Sequence, residues 1–146
     1  MYEDIKMLLH TKHTDVGYYI YKILAKNSFR LFAKEFCFDE KIYSIAIDDN
    51  PEIYSHTAIL NSYLKSKSIK PVYNVLRAKN KVKYSGKSRE FREQNPRNFI
   101  FNDFKNSTCI VVDDIVTTGL TLCEASKKLQ QNGKEVLFCL TLACLE

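Results

Sequence analysis

Apolar and polar positions follow two patterns that alternate along the whole chain. Apolar residues spaced three or four apart are typical of a helix with one buried face. Short continuous apolar runs are typical of strands buried on both faces of a parallel sheet. Helical spacing occurs at 5–9, 16–24, 29–36, 56–64 and 122–129, and strand-like runs occur at 42–47, 71–76, 109–113 and 135–145. The alternation predicts one α/β domain over residues 1–146, with a mostly parallel twisted sheet flanked by helices.

Residues 77–98, called the basic segment below, show neither pattern. Eight basic residues against two acidic ones give the segment a charge of +6, which leaves −1 for the rest of a chain whose net charge is +5. Its basic residues are Arg77, Lys79, Lys81, Lys83, Lys87, Arg89, Arg92 and Arg97. We predict a long, flexible basic loop with one helical turn near 88–94, and a polyanion as its natural partner.

Length and cysteine content narrow the class of protein. The chain has 146 residues, enough for one domain with a substantial core but not for two. Its five cysteines are odd in number, form no C-x-x-C pair and lie mostly in apolar runs, so we predict buried, reduced thiols and neither zinc nor disulfides. No apolar run is long enough to span a bilayer, and the first residues lack the features of a secretion signal. The predicted location is the cytoplasm.

The stretch 109–121, CIVVDDIVTTGLT, is the best candidate for a ligand site. A buried strand leads directly into Asp113 and Asp114, and a hydroxyl-rich turn with Gly119 then precedes a helix. Backbone N–H groups at the start of a helix can surround a phosphate, and carboxylates at a strand end can accept hydrogen bonds from sugar hydroxyls. Ligands of parallel α/β sheets bind at such strand ends. The alternative is a buried strand whose acidic pair only caps a helix, but a cap needs one acceptor and not this whole array.

A P-loop is a second interpretation that the sequence excludes. Gly86, Lys87 and Ser88 spell the end of G-x-x-x-x-G-K-[ST], but Lys81 occupies the position of the first glycine. No clean apolar strand precedes the turn either. Without that glycine and that strand, the phosphate-cradling geometry is lost.

Residues 109–121 resemble the phosphoribosyl-pyrophosphate (PRPP) signature of type I phosphoribosyltransferases, with four apolar residues, two acidic, two apolar and then T-T-G-x-T. The resemblance implies the Rossmann-like fold of that family, and displacement of pyrophosphate from C1 of PRPP by a base nitrogen. It implies that Asp113 and Asp114 are catalytic, bind the ribose hydroxyls and hold Mg²⁺ directly or through water. The implied ligands of the 5′-phosphate are Thr117, Thr118, Gly119, Leu120 and Thr121.

The same resemblance makes the basic segment the mobile loop that closes over the substrate. Lys87, Arg89 and Arg92 would then clamp the pyrophosphate, although a solvated basic surface is an alternative. The turn after the first strand would form the pyrophosphate loop, with Asp49 and Asn50 as its candidate residues. Two adjacent carboxylates in that turn, at 48 and 49, would repel pyrophosphate unless metal or lysine compensated.

Two more regions are expected near this site. Residues 1–36 form the candidate helical cover, since the chain has no separate segment to recognise a base. Of the three histidines, only His56 follows the first strand closely enough to lie near the ligand. A histidine without a defined partner is more often structural or exposed than functional.

Within the family, the chain resembles the competence protein F (ComF)-like phosphoribosyltransferases, whose members tend to show R…Q-x-G-x-S…R-x-x-N-x-x-x-F before the PRPP motif. The matching residues are Arg77, Gly86, Ser88, Arg92 and Asn95, while Tyr84 stands where the family often has Gln. Many members carry an N-terminal cysteine-rich zinc module. No cysteine precedes Cys37, so we expect neither the module nor zinc.

Two functional hypotheses follow from these resemblances. In the first, the chain binds PRPP or a nucleoside monophosphate with Mg²⁺, transfers phosphoribosyl to a base and is linked to DNA uptake, as a possible homodimer. In the second, it is a non-catalytic accessory protein of natural transformation that binds nucleotides or single-stranded DNA. Tyr84 and Phe91 lie among the cations of the basic segment and could stack on bases in that case.

Overall fold

A computed structural model describes residues 2–12, 14–47, 55–80, 82, 84 and 86–144. Within these ranges the chain forms six helices and five strands. The helices are α1 (Tyr2–Leu9), α2 (Asp15–Asn27), α3 (Phe29–Glu35), α4 (His56–Ser62), α5 (Arg89–Gln94) and α6 (Leu120–Gln131). The strands are β1 (Ile42–Ile47), β2 (Ile69–Ala78), β3 (Phe99–Phe101), β4 (Thr108–Val116) and β5 (Glu135–Cys144). None of the helices in these ranges is both long and apolar enough to cross a membrane.

The strands form one sheet in the order β3-β2-β1-β4-β5. Strands β1, β2, β4 and β5 pair in parallel, and only β3 runs antiparallel, beside β2. This confirms the predicted fold class, a mostly parallel sheet flanked by helices. The chain moves from β1 to β2 on one side and from β4 to β5 on the other, so the order reverses between β1 and β4. The crevice at the carboxyl ends of these two strands is where sheets of this kind bind ligands.

Alternate residues of β4 face two different halves of the core. Ile110 and Val112 pack in a cluster with residues of α2, α3 and α4, whereas Cys109 and Val111 pack in a second cluster with Ala125 and other residues of α6. Successive side chains of a strand point to opposite faces of the sheet. The side chains of the two acidic residues that follow in β4 therefore begin on opposite faces of the sheet.

Helix α2 forms where the sequence predicts it, but a different face is buried. The apolar stripe predicted to face the core includes Val16, Tyr19 and Ile23, which are all more than half exposed. The residues buried instead are Gly17, Tyr21 and Ala25. Every side of this helix carries apolar groups, so periodicity alone does not select the buried side. Glycine and alanine at the contact let the neighbouring elements approach closely.

Three other predictions, on a helical turn, a strand and the cysteines, can be compared with the structure. The helical turn predicted near 88–94 in the basic segment is present as α5. Strand β3 was not predicted, because its three residues are too few to show a period. Cys109 is buried as predicted, but the other four cysteines are exposed, so the prediction of burial is wrong for them.

Candidate functional site

The turn between β4 and α6 has the backbone geometry of an anion site. Gly119 adopts φ +72, a left-handed conformation that other residues enter only with strain. Helix α6 starts at the next residue, and the Cys123 N–H donates to the Gly119 carbonyl over 2.9 Å. The hydroxyl-bearing Thr117 and Thr118 are exposed at the end of the strand. A turn of this kind presents hydroxyls and helix-start N–H groups to the same volume of solvent.

The side chain of Asp114 lies on the face of the sheet that α2 and α4 cover, and it is almost completely buried there. Its side chain is 7% exposed, and its Oδ2 accepts hydrogen bonds from Lys12 Nζ at 3.0 Å and from the Tyr21 hydroxyl at 3.1 Å. His56 Nε2 lies 3.4 Å from the same oxygen, and its ring packs edge-on against that of Tyr21 at 5.3 Å between centroids. We call Lys12, Tyr21, His56 and Asp114 the Asp114 cluster. It ties the end of β4 to α2, α4 and the residues after α1.

The two carboxyl groups of the motif therefore differ in protonation. Burial by itself raises the pKa of Asp114, but the charges of His56 and Lys12 and the hydrogen bonds from Lys12 and Tyr21 outweigh it, so the pKa lies below its usual value. Burial, followed by the charge of Asp114, raises the pKa of Asp113 to about 8. Asp114 is thus the ionised member of the pair at neutral pH, and Asp113 titrates near neutrality.

Among the described residues, the ion pairs of the two motif carboxyls belong to Asp114 and none belongs to Asp113. Its Oδ1 accepts the Asp114 backbone N–H at 2.8 Å, and the side chain is only partly buried. Mg²⁺ in phosphate-transfer sites is usually held by one or two carboxylates together with oxygens of the substrate. Asp113 fits that role, although no group of three or more His, Cys, Asp or Glu in the described ranges could hold a metal ion by itself.

Of the three predicted basic ligands, the structure brings one to the motif turn. Arg92 Nη1 donates to the Thr117 hydroxyl, while its Nε and Nη2 donate to the carbonyls of Lys87 and Tyr84 at 3.2 and 3.0 Å. Lys87 instead lies over the Phe91 ring, at 5.1 Å. Arg89 forms an exposed ion pair with Glu93 at 2.9 Å. Arg92 is the member of the predicted set that contacts the motif.

Tyr84 anchors the basic segment and is not free to stack on a base. It is buried, and its hydroxyl donates to the Asn95 carbonyl at 2.5 Å. The guanidinium groups of Arg97 and Arg92 lie 4.7 and 5.6 Å from its ring centroid. The base-stacking role suggested by the sequence therefore does not suit this residue, since its ring faces are used within the protein.

The sequence predicted some residues of this site and did not indicate others. It placed His56 near the ligand, and the structure puts it beside Asp114. It missed Lys12 and Tyr21, which lie 102 and 93 residues from Asp114 along the chain and carry no motif. It also missed Glu124, whose carboxylate accepts backbone N–H groups of the basic segment. The predicted pyrophosphate-loop residues, Asp49 and Asn50, lie outside the described residues.

Comparison with known proteins establishes the family. The sequence model described as "Phosphoribosyl transferase domain" matches residues 64–145, more than half of the chain. The chain therefore belongs to the phosphoribosyl transferase domain family, which confirms the family predicted from the motif. Members of the family generally use Mg²⁺. A search of curated proteins gave no significant match.

Several solved structures are similar to parts of this chain. A hypoxanthine phosphoribosyltransferase of Staphylococcus aureus shares 13% identity with a TM-score of 0.49, covering 83% of this chain and 61% of that enzyme. A hypoxanthine-guanine phosphoribosyltransferase of Bacillus anthracis shares 20% identity (TM-score 0.49; 82% and 68% covered). An orotate phosphoribosyltransferase of Aeropyrum pernix shares 18% (TM-score 0.48; 97% and 77% covered). The chain thus spans about three fifths of the length of the S. aureus enzyme.

Proposed function

We propose that this chain binds PRPP or a nucleoside monophosphate at the carboxyl ends of β1 and β4, and that it transfers phosphoribosyl to a base. The observation that carries the proposal is the contact between Arg92 and Thr117, which joins a guanidinium to the hydroxyl-rich turn at the point where the strand order reverses. A cation, hydroxyls and helix-start N–H groups together suit a phosphorylated ligand.

In the proposed reaction, a base nitrogen forms a bond to C1 of the ribose while the bond from C1 to the pyrophosphate oxygen breaks. Thr117, Thr118 and the backbone from Gly119 to Thr121 bind the 5′-phosphate and orient the sugar. Arg92 lies beside this turn, where its positive charge offsets the negative charge of the bound phosphates. The base nitrogen loses its proton to solvent or to a neighbouring carboxylate.

The two motif carboxylates take different parts in this proposal. Once Asp113 has lost its proton, it accepts a hydrogen bond from a ribose hydroxyl and would hold Mg²⁺, which would supply further positive charge against the pyrophosphate. Asp114 orders the strand end through its bonds to Lys12 and Tyr21. Both of these donors bind its Oδ2, whereas its Oδ1 accepts the Ile115 backbone N–H at 2.9 Å.

The direct test is isothermal titration of the intact chain with PRPP in the presence of Mg²⁺. Asp113→Asn keeps the size of the side chain and removes the carboxylate, so we expect binding to weaken strongly. Asp15→Asn is the matched control, because Asp15 is an exposed residue in the first turn of α2 and is not part of the PRPP motif. Absence of binding by the unmodified chain would overturn the proposal. A PRPP-consumption assay across free bases then identifies the acceptor.

We further infer that the chain is a ComF-like member of the family and is linked to DNA uptake. Support comes from the side chains of two residues of the ComF-like pattern, Arg92 and Asn95. The Arg92 guanidinium donates to the Thr117 hydroxyl, and the Asn95 side-chain amide donates to the Phe91 carbonyl at the end of α5. Deletion of the gene should lower transformation frequency in its host, whereas unchanged transformation would contradict the link.

A second candidate function is binding of single-stranded DNA by the outer face of the basic segment. Lys87 and Arg89 are exposed and contact Phe91 and Glu93 of α5, which leaves them accessible to a polyanion. Affinity for an oligonucleotide should then fall steeply with salt and drop in the double variant Lys87→Ala/Arg89→Ala. Neutralising Lys26 and Lys34 is the control for total charge. Equal losses in both variants would mean non-specific attraction.

The proposed homodimer would use the free edge of the sheet. Strand β5 has ten residues and stands last in the strand order, so among the described strands its only neighbour is β4. The outer edge of a terminal strand is a surface on which another strand can pair. Two such strands can pair antiparallel about a two-fold axis. Light scattering coupled to size exclusion should give twice the monomer mass, and Leu137→Pro should return it to one.

A further inference from the structure

Glu124, on the outer side of α6, holds the end of the basic segment. Its Oε1 accepts the backbone N–H of Asn98 at 2.7 Å, and its Oε2 accepts that of Arg97 at 3.1 Å. One carboxylate that receives two adjacent N–H groups fixes both the position and the direction of the backbone there. Nothing in the PRPP motif or in its proposed ligands requires this residue.

From Glu124 a continuous series of contacts leads to the motif turn. The Arg97 guanidinium lies over the Tyr84 ring, and the Tyr84 carbonyl accepts a hydrogen bond from Arg92. Arg92 in turn donates to Thr117. Each step is a direct contact, so a shift at Glu124 is passed to Arg92 through one ring and two backbone segments.

We propose that Glu124 is a positioning residue, which holds the Arg92 guanidinium on the motif turn by fixing the backbone of residues 97–98 against α6. The basic segment is then docked before any ligand binds. The part that concerns ligand binding rests on the proposed function, whereas the docking itself does not. Without Glu124 the segment would lose two charge-assisted hydrogen bonds and would spend more time undocked.

Trypsin cleavage of the ligand-free protein tests the docking. Cleavage after Lys87, Arg89 and Arg92 should accelerate about tenfold or more in Glu124→Ala, because opening of the segment limits access. Glu124→Gln keeps one good acceptor and should lie between Glu124→Ala and the unmodified chain. Glu135→Ala is the control, an exposed glutamate at the start of β5. Cleavage after Lys26 reports global unfolding, and its rate should stay unchanged. If the rate of cleavage after Arg92 is the same in Glu124→Ala and in the unmodified chain, the proposal is overturned.

Titration with PRPP and Mg²⁺ tests the link to the ligand. We expect Glu124→Ala to weaken binding about tenfold, and to have no further effect when Arg92 is already alanine. A loss that persists undiminished in the Arg92→Ala background would show that Glu124 acts by another route and would overturn the positioning role. If the unmodified chain binds no PRPP, the proposed function fails, while the cleavage rates still decide whether Glu124 docks the segment.

Discussion

Replacing Tyr21 by phenylalanine removes a single oxygen atom from the centre of the Asp114 cluster. Tyr21 is 0% exposed and donates to Asp114, whose side chain is 7% exposed, so water cannot replace the lost hydrogen bond. Hydrogen bonds to charged groups contribute about 1.5–3 kcal/mol to stability. For a chain of 146 residues each kcal/mol corresponds to a shift of about 3 °C in the melting temperature. We therefore expect Tyr21→Phe to melt about 5–10 °C lower.

Chemical denaturation followed by circular dichroism measures this loss, and Tyr19→Phe provides its control. Tyr19 lies on the same helix and is 67% exposed, so removal of its hydroxyl should change stability by less than about 0.5 kcal/mol. In an Asp114→Ala background the hydroxyl of Tyr21 loses its charged acceptor, and Tyr21→Phe should then be nearly neutral. An equal loss in both backgrounds would refute the assignment of the effect to the bond with Asp114.

Three further predictions concern the motif and the basic segment. The pKa of Asp113 is raised to about 8 in the folded chain, so the stability that its protonation contributes is complete below pH 4 and is lost as pH rises towards 8. Asp113→Asn should therefore be more stable than the unmodified chain by about 1–3 kcal/mol at pH 8. Denaturation at pH 5 and at pH 8 should show that this difference in stability grows with pH. Gly119→Ala places a side chain at φ +72, where no other atom lies within 4 Å, so backbone strain alone should lower the stability by about 1 kcal/mol. Gly133→Ala, at φ +75, should lower the stability measured by denaturation by the same amount. Only Gly119→Ala should also weaken PRPP binding. The Ser88 hydroxyl caps α5 by accepting the Phe91 N–H at 3.2 Å. Ser88→Ala should therefore lower the stability of α5 by about 1 kcal/mol. Amide exchange should become faster in α5 and not in α6.

Three outcomes would contradict these expectations. Stability differences that do not change between pH 5 and pH 8 would mean that Asp113 titrates normally. Equal PRPP affinity in the two glycine variants would remove the turn at Gly119 from the ligand site. Uniform acceleration of exchange in the Ser88→Ala variant would show that α5 unfolds only with the whole domain.

Local patterns in the sequence were sufficient to predict the class of fold and the position of the motif. Runs of apolar residues about five long, separated by helical periods, can be buried in few ways other than as a parallel sheet between helices. The spacing in 109–121 links a strand end, two carboxylates and a turn within thirteen consecutive residues. Contacts between neighbours in sequence are governed by backbone geometry, and the types of residue in a short stretch indicate that geometry directly.

Contacts between distant residues depended on the tertiary structure. The sequence treats Asp113 and Asp114 as a pair, but the alternation of β4 sends them to different surroundings, and only Asp114 meets Lys12 and Tyr21. In the same way, three cations of the basic segment look equivalent in sequence, yet only Arg92 reaches Thr117. Which side of α2 is buried, and which cation contacts the motif, follow from the packing of elements far apart in the chain. No local pattern encodes that packing, because it is settled only when the complete core is assembled.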